Sequence, residues 1–201
     1  MPGIFVQTML YGIAGTATGI AIDIEKGVID RFRSMPMARS AVVIGRVIAD
    51  TLRSSVDVAL LIVCGLVVGW QWHNGLGPAL SAVELVLLLR LALTCVGIFL
   101  GLVVPTPDAA GLAVYPLAFP LTVLSNAFLP PALMPGGLGT VAESNPLSAT
   151  VSATRELFGN PAVAGDIWVA QNASLMAVVW PLLLMAIFVP LAVRRYRRLS
   201  H

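Results

Sequence analysis

The chain has 201 residues, 58% of them hydrophobic and 11% charged, with a formal net charge of +2 and a mean hydropathy of +0.91. That balance lies outside the range of an ordinary soluble domain and identifies a membrane protein, for which no nucleic-acid partner is expected. Windows of about 20 apolar residues, the length that crosses ~30 Å of hydrocarbon, fall at 2–22, 54–72, 83–104, 109–130 and 172–193. They fill the chain nearly end to end, so residues 1–201 read as one all-α, polytopic helical bundle. The apolar runs are long and do not alternate, which disfavours a lipid-spanning barrel.

The first expected span opens MPGIFVQ and lacks the basic segment of a signal peptide, so it reads as a span and not as a leader. The island EKGVIDRFRSMPMAR at 25–39 follows. Glu25, Lys26, Asp30, Arg31, Arg33 and Arg39 would each cost roughly 3 kcal/mol at a bilayer centre, ~18 kcal/mol together, so the island belongs in water. Within it Val28, Ile29, Phe32 and Met35 recur at helical steps, and Met35-Pro36 ends the pattern. A short helix with an apolar ridge and charges suits docking to another protein. Basic residues beside a membrane also enforce topology and touch anionic lipid, and both readings stand at this level.

Arg46, Asp50, Arg53 and Asp57 come next, spaced by four, three and four. On a helix they fall within about 60° of one another, one stripe of alternating charge on an apolar remainder. No turn signal separates the stripe from the span at 54–72. The expectation is a helix lying along the inner interface before turning inward, against the alternative of a solvated face with weak surface pairs.

The third span carries Arg90, with Thr94, Gly97 and Gly101 following at four, three and four on one face. Small residues allow close helix approach, and an intramembrane charge faces a bundle interior or a wet cavity. Two readings compete: a helix-packing seam whose arginine snorkels outward, or a group lining a translocation path. Glu84 lies on a different face, at the outer end. The fourth span contains Pro116 and Pro120 and runs on to Pro130, Pro131 and Pro135, so a kinked or broken helix is expected. Asn145-Pro146 then opens a helical pattern, with Pro at the first helical position.

Lys26, Arg31, Arg33, Arg39, Arg46 and Arg53 lie between the first two spans, and Arg194, Arg195, Arg197 and Arg198 form the tail. The segments on the other side, about 73–82 and 131–171, hold only Arg155 among basic residues. The bias places the island and the C-terminus in the cytoplasm. Five spans then leave the N-terminus outside, where a preceding span is the more usual arrangement. Cys64 and Cys95 fall inside spans and read as small buried side chains. His73 and His201 have no second ligand at metal spacing. A P-loop needs Lys followed by Ser or Thr after a glycine loop, and the one lysine, Lys26, precedes Gly27, so the chain is not expected to be its own ATPase.

These residues together resemble the membrane permease of an ABC-2 type exporter, nearest to the daunorubicin-resistance permeases of actinobacteria. The matching stretches are EKGVIDRFRSMPMARSAVVIGRVIAD, LTCVGIFLGLVVPTPDAAG, FPLTVLSNAFLPPALMP and NPLSATVSATREL. The resemblance implies that 25–39 docks into a separate ATPase subunit, through Glu25, Lys26, Gly27, Asp30, Arg31, Phe32, Arg33, Met35 and Pro36. It makes 40–53 a connecting helix and 131–171 an extracytoplasmic segment. It also implies a plasma-membrane permease subunit that pairs with itself or a homologue and binds no cofactor of its own, ATP and Mg being held by the partner P-loop ATPase. The expected cargo is a hydrophobic or amphipathic small molecule such as an antibiotic, or a lipid. Family members usually have six spans with both ends cytoplasmic, and this chain begins at what resembles their second. The rival reading is an ATP-independent carrier using Arg90 or Glu84, or a scaffold subunit that transports nothing.

Overall fold

The computed structural model describes residues 1–27, 39–135, 137–161, 165 and 167–199. Long helices occupy the places of the five expected spans. Helix α1 covers Pro2–Glu25, α2 Arg39–Val67, α3 Leu76–Val103 and α4 Pro107–Val123; after the short helices α5 (Leu138–Ser144), α6 (Pro146–Leu157) and α7 (Trp168–Gln171), α8 covers Ala173–Leu199. A single 3-10 turn, Pro131–Leu133, precedes α5. Of the described helices, α1, α3 and residues 173–196 of α8 are long and apolar enough to cross a membrane by themselves. Helix α2 falls short because Asp50, Arg53 and Asp57 interrupt its apolar run, and α4 because it has only 17 residues.

The bundle is built around α1 and α3, with α4 against α1, α8 against α3, and α2 leaning on α3 and more lightly on α1. Small residues set the central contact. A Cβ at Gly97 would stand 3.0 Å from Thr16 Cβ, and one at Gly101 only 2.5 Å from the Ala17 carbonyl oxygen. The backbones therefore touch where any larger residue would hold them apart. Phe5, Met9, Ile13 and Ala17 repeat at four-residue steps along the buried face of α1 and meet Val86, Leu89 and Leu93 of α3 in the core. One end of the bundle, where α1 stops and α2 starts, is basic. There the Arg195 Nε donates to the Leu102 carbonyl at 3.2 Å and so occupies an acceptor at the end of α3.

At the opposite end α5, α6 and α7 form a cap. The break expected in the proline-rich fourth span falls after Val123, since α4 continues through Pro116 and Pro120. Polar side chains hold that end. Ser125 Oγ donates to Thr122 O at 2.7 Å, and Asn145 Nδ2 donates to Leu121 O at 2.8 Å and Leu124 O at 2.7 Å. Asn145 also accepts from Leu147 N at 2.9 Å, which makes it the N-cap of α6, with Pro146 at the first helical position as the sequence suggests. One amide thus ends one helix and starts another. At the other end of α6, Trp70 packs edge-on against Phe5 and Phe158, at centroid distances of 5.6 and 5.0 Å, and its Nε1 donates to Asn160 Oδ1 at 2.9 Å.

A polar cavity between three helices

The expected docking set is only partly described. Glu25 and Lys26 are exposed at the end of α1, and Gly27 follows with φ +63°, a left-handed geometry that suits glycine at a helix end. Asp30, Arg31, Phe32, Arg33, Met35 and Pro36 lie outside the described residues.

The stripe of charge on α2 is where sequence and structure meet most informatively. Residues 40–53, read as a connecting helix, and the apolar stretch after them form one continuous helix of 29 residues. Ile48, Leu52, Val56, Leu60 and Val63 are exposed along one side. Arg46, Asp50, Arg53 and Asp57 line a cavity of about 490 Å³ that α2 shares with α1 and α3. The polar face is therefore turned toward the bundle and the apolar face away from it.

Arg90 closes the cavity from α3. It is only 6% exposed, and its guanidinium is held from three directions: Nε donates to Ser54 Oγ at 2.9 Å, Nη1 to the Met9 carbonyl at 3.2 Å, and Nη2 to Thr16 Oγ1 at 3.0 Å. Thr16 passes the contact on, its hydroxyl donating to Asp50 Oδ2 at 2.7 Å. Asp50 Oδ1 in turn lies 3.5 Å from Arg46 Nε, and Arg46 Nη1 is 3.5 Å from Asp23 Oδ2 at the end of α1. The chain of contacts joins three helices, through charge-assisted hydrogen bonds at Arg90 and Thr16, stronger than neutral ones, and through the longer ion pairs of Arg46. Helix α1 is notched to admit the arginine, since a Cβ at Gly12 would stand 2.7 Å from Arg90 Nη1.

Gly97 and Gly101 pack on α1, and Thr94 is fully buried, as in a seam. The arginine does not reach outward to an interface; it points into the bundle and lines a cavity. Glu84 is exposed and does not line it. Sequence reasoning missed Gly12, Thr16, Asp23 and Ser54. Thr8, Gly12, Gly15, Thr16 and Gly19 recur at helical steps on α1, and that small, polar face was the available signal. Among the described residues no group of His, Cys, Asp and Glu is placed to hold a metal ion. What the cavity can do is hold a polar or charged group inside an apolar bundle, and change shape if α2 moves.

Comparison with known proteins agrees with this architecture. A family model described as ABC-2 type transporter matches residues 1–158. The chain is 30% identical over 197 residues to a daunorubicin resistance ABC transporter permease protein of Streptomyces coeruleorubidus, covering 98% of this chain and 67% of that protein. It is 30% identical over 108 residues to a doxorubicin resistance ABC transporter permease protein of Mycobacterium tuberculosis, covering 54% of this chain and 37% of that one. The chain thus spans between about a third and two thirds of the length of these relatives. No solved structure gives a significant match.

Proposed function

Because this chain belongs to the ABC-2 type transporter family, we propose that it is the membrane permease subunit of an ABC exporter, driven by a separate P-loop ATPase that docks on residues 25–39. ATP and Mg reside on that partner. The permease acts as a pair, with itself or a homologue, in the plasma membrane, with its basic end and C-terminus in the cytoplasm. Its cargo is a hydrophobic or amphipathic small molecule. The relatives' names, which speak of daunorubicin and doxorubicin resistance, favour a drug over a bulk lipid.

The observation that carries the mechanism is the continuity of α2. Its first residue, Arg39, ends the docking island, and the same unbroken helix bears Arg46, Asp50, Arg53 and Asp57 on the cavity wall. At 1.5 Å per residue it is a rod about 43 Å long. It packs lightly on α1, and its outer face is uncovered. On this reading, closure of the ATPase pair pushes on Phe32, Met35 and Pro36, with Glu25, Lys26, Asp30, Arg31 and Arg33 supplying polar contacts. The push tilts or slides α2 and so reshapes the cavity beside Arg90. Nucleotide must then favour one of two α2 positions by differential contact, as any ligand-driven shift requires.

The test is affinity purification of the chain from its own host's membranes in mild detergent, wild type beside Arg31→Glu/Arg33→Glu. A P-loop ATPase that accompanies the wild type and is lost from the variant is the expected result. Absence of any ATPase, together with transport that follows an ion gradient and is abolished by neutralising Arg90, would replace the exporter by the carrier reading, which the buried Arg90–Thr16–Asp50 chain makes the one serious rival.

A further inference from the structure

We infer that the cavity between α1, α2 and α3 binds the head group of a singly anionic amphiphile, a phosphodiester or a carboxylate on an apolar tail. As a cargo site it rests on the permease reading; as a binding site it does not.

Charge decides the sign. The cavity wall carries Arg46, Arg53 and Arg90 against Asp50 and Asp57. Both Asp50 oxygens are already engaged, Oδ1 by Arg46 and Oδ2 by Thr16. Asp23, outside the cavity, also pairs with Arg46, so the six charges of the cluster balance, but unevenly: Arg46 serves two carboxylates, while Arg53 and Arg90 face Asp57 alone, a local surplus of one positive charge on the Arg90 side. Arg90 touches no carboxylate directly; its contacts are two hydroxyls and a carbonyl. They use three of the five guanidinium N–H donors. An intramembrane charge is expected to find a counter-charge, and one anionic group supplies it.

The site is built before the ligand arrives. Arg90 is fixed by three acceptors and by the notch at Gly12, so little ordering remains to oppose binding. Its depth makes the ligand an amphiphile. Arg90 lies at the middle of α3, roughly 20 Å from either end. The cavity rim includes exposed Gly15 and Arg53, and a Cβ at Gly15 would meet nothing within 4 Å. Beside that rim runs the exposed apolar face of Leu52, Val56 and Leu60. A head group enters between α1 and α2 while its tail lies along this face.

The test measures binding of two lipids with the same tails to the full chain in mild detergent, by native mass spectrometry: dioleoyl phosphatidylglycerol, a monoanion, and dioleoyl phosphatidylcholine, which is net neutral. Phosphatidylglycerol is expected to bind more tightly. Arg53→Gln should weaken it about tenfold, the effect of one lost charge-assisted hydrogen bond, and Asp57→Asn should strengthen it, with phosphatidylcholine unmoved by either. Arg90→Lys should also weaken it, and Arg53→Gln, on the exposed rim, carries the test if that variant does not fold. Equal binding of the two lipids would overturn the inference. So would a preference that survives Arg53→Gln, since it would then arise at the basic tail, or displacement of the lipid by millimolar inorganic phosphate, which would mean a site for a free anion. An anion preference lost while the ATPase is still retained sinks this inference alone. A preference kept by a chain that binds no ATPase sinks the exporter alone.

Discussion

Gly101→Ala isolates the contact on which the bundle is built. The added Cβ would stand 2.5 Å from the Ala17 carbonyl oxygen and 2.8 Å from Ile20 Cβ, where ordinary contact begins at 3.4 Å. Backbone cannot swing aside as a side-chain tip does, so α1 must retreat by about 0.9 Å. Overpacking of this kind costs roughly 1–3 kcal/mol, and the retreat also stretches the Thr16 bonds to Arg90 and Asp50, now 3.0 and 2.7 Å. Against this stands a gain of up to ~1 kcal/mol from replacing a helical glycine by alanine. Gly15→Ala collects the same gain with no atom in its way, and is the control. The two proteins are unfolded by heat or denaturant in one detergent. Gly101→Ala should fall ~1–2 kcal/mol below wild type and Gly15→Ala should match or exceed it. If the two variants prove equally stable, the close approach of α1 and α3 is not what holds the bundle.

Two further substitutions probe the polar joints. Thr16→Val keeps the shape of the side chain but leaves Arg90 Nη2 and Asp50 Oδ2 without their shared hydroxyl; it should destabilise by ~2–4 kcal/mol, two charged hydrogen bonds, while Thr16→Ser, measured by the same unfolding, should recover most of the loss. Asn145→Ala removes two bonds to the end of α4 and the N-cap of α6; a loss of ~2–3 kcal/mol is expected, with faster amide exchange in 124–130 and 146–149 than anywhere in α3. Uniform exchange across these segments would show that the amide does not fasten the cap.

Periodicity made the stripe on α2 legible because spacings of four, three and four place residues on one face whatever surrounds them. It could not say which way the face turns, since that is decided by Arg90, Thr16 and Ser54, which lie on three different helices. Long apolar runs located α1 and α8 to within a few residues at their starts, while α3 begins seven residues before its expected span. The apolar stretch 109–130 runs seven residues past the end of α4, because the residue that holds its last turn, Asn145, lies more than twenty positions later. Thr16 and Ser54 went unnoticed for a related reason. A single hydroxyl in an apolar run costs little on any transfer scale, and its meaning comes only from the charge it meets.

The charges on α2 also bear on how the chain is made. Scored by itself, a segment holding Asp50, Arg53 and Asp57 gains about half a kcal/mol for each Leu, Ile or Val and loses roughly 3 for each charge near its centre, so it enters a bilayer poorly. Helix α3, with its single buried arginine, enters well and brings with it a partner for the stripe. The order of insertion expected from this difference departs from sequence order, with α2 held at the membrane surface until the hairpin of α2 and α3 is complete and the two taken up as a unit. A nascent chain halted before Arg90 should leave α2 accessible to water-soluble reagents, and one halted after Val103 should not.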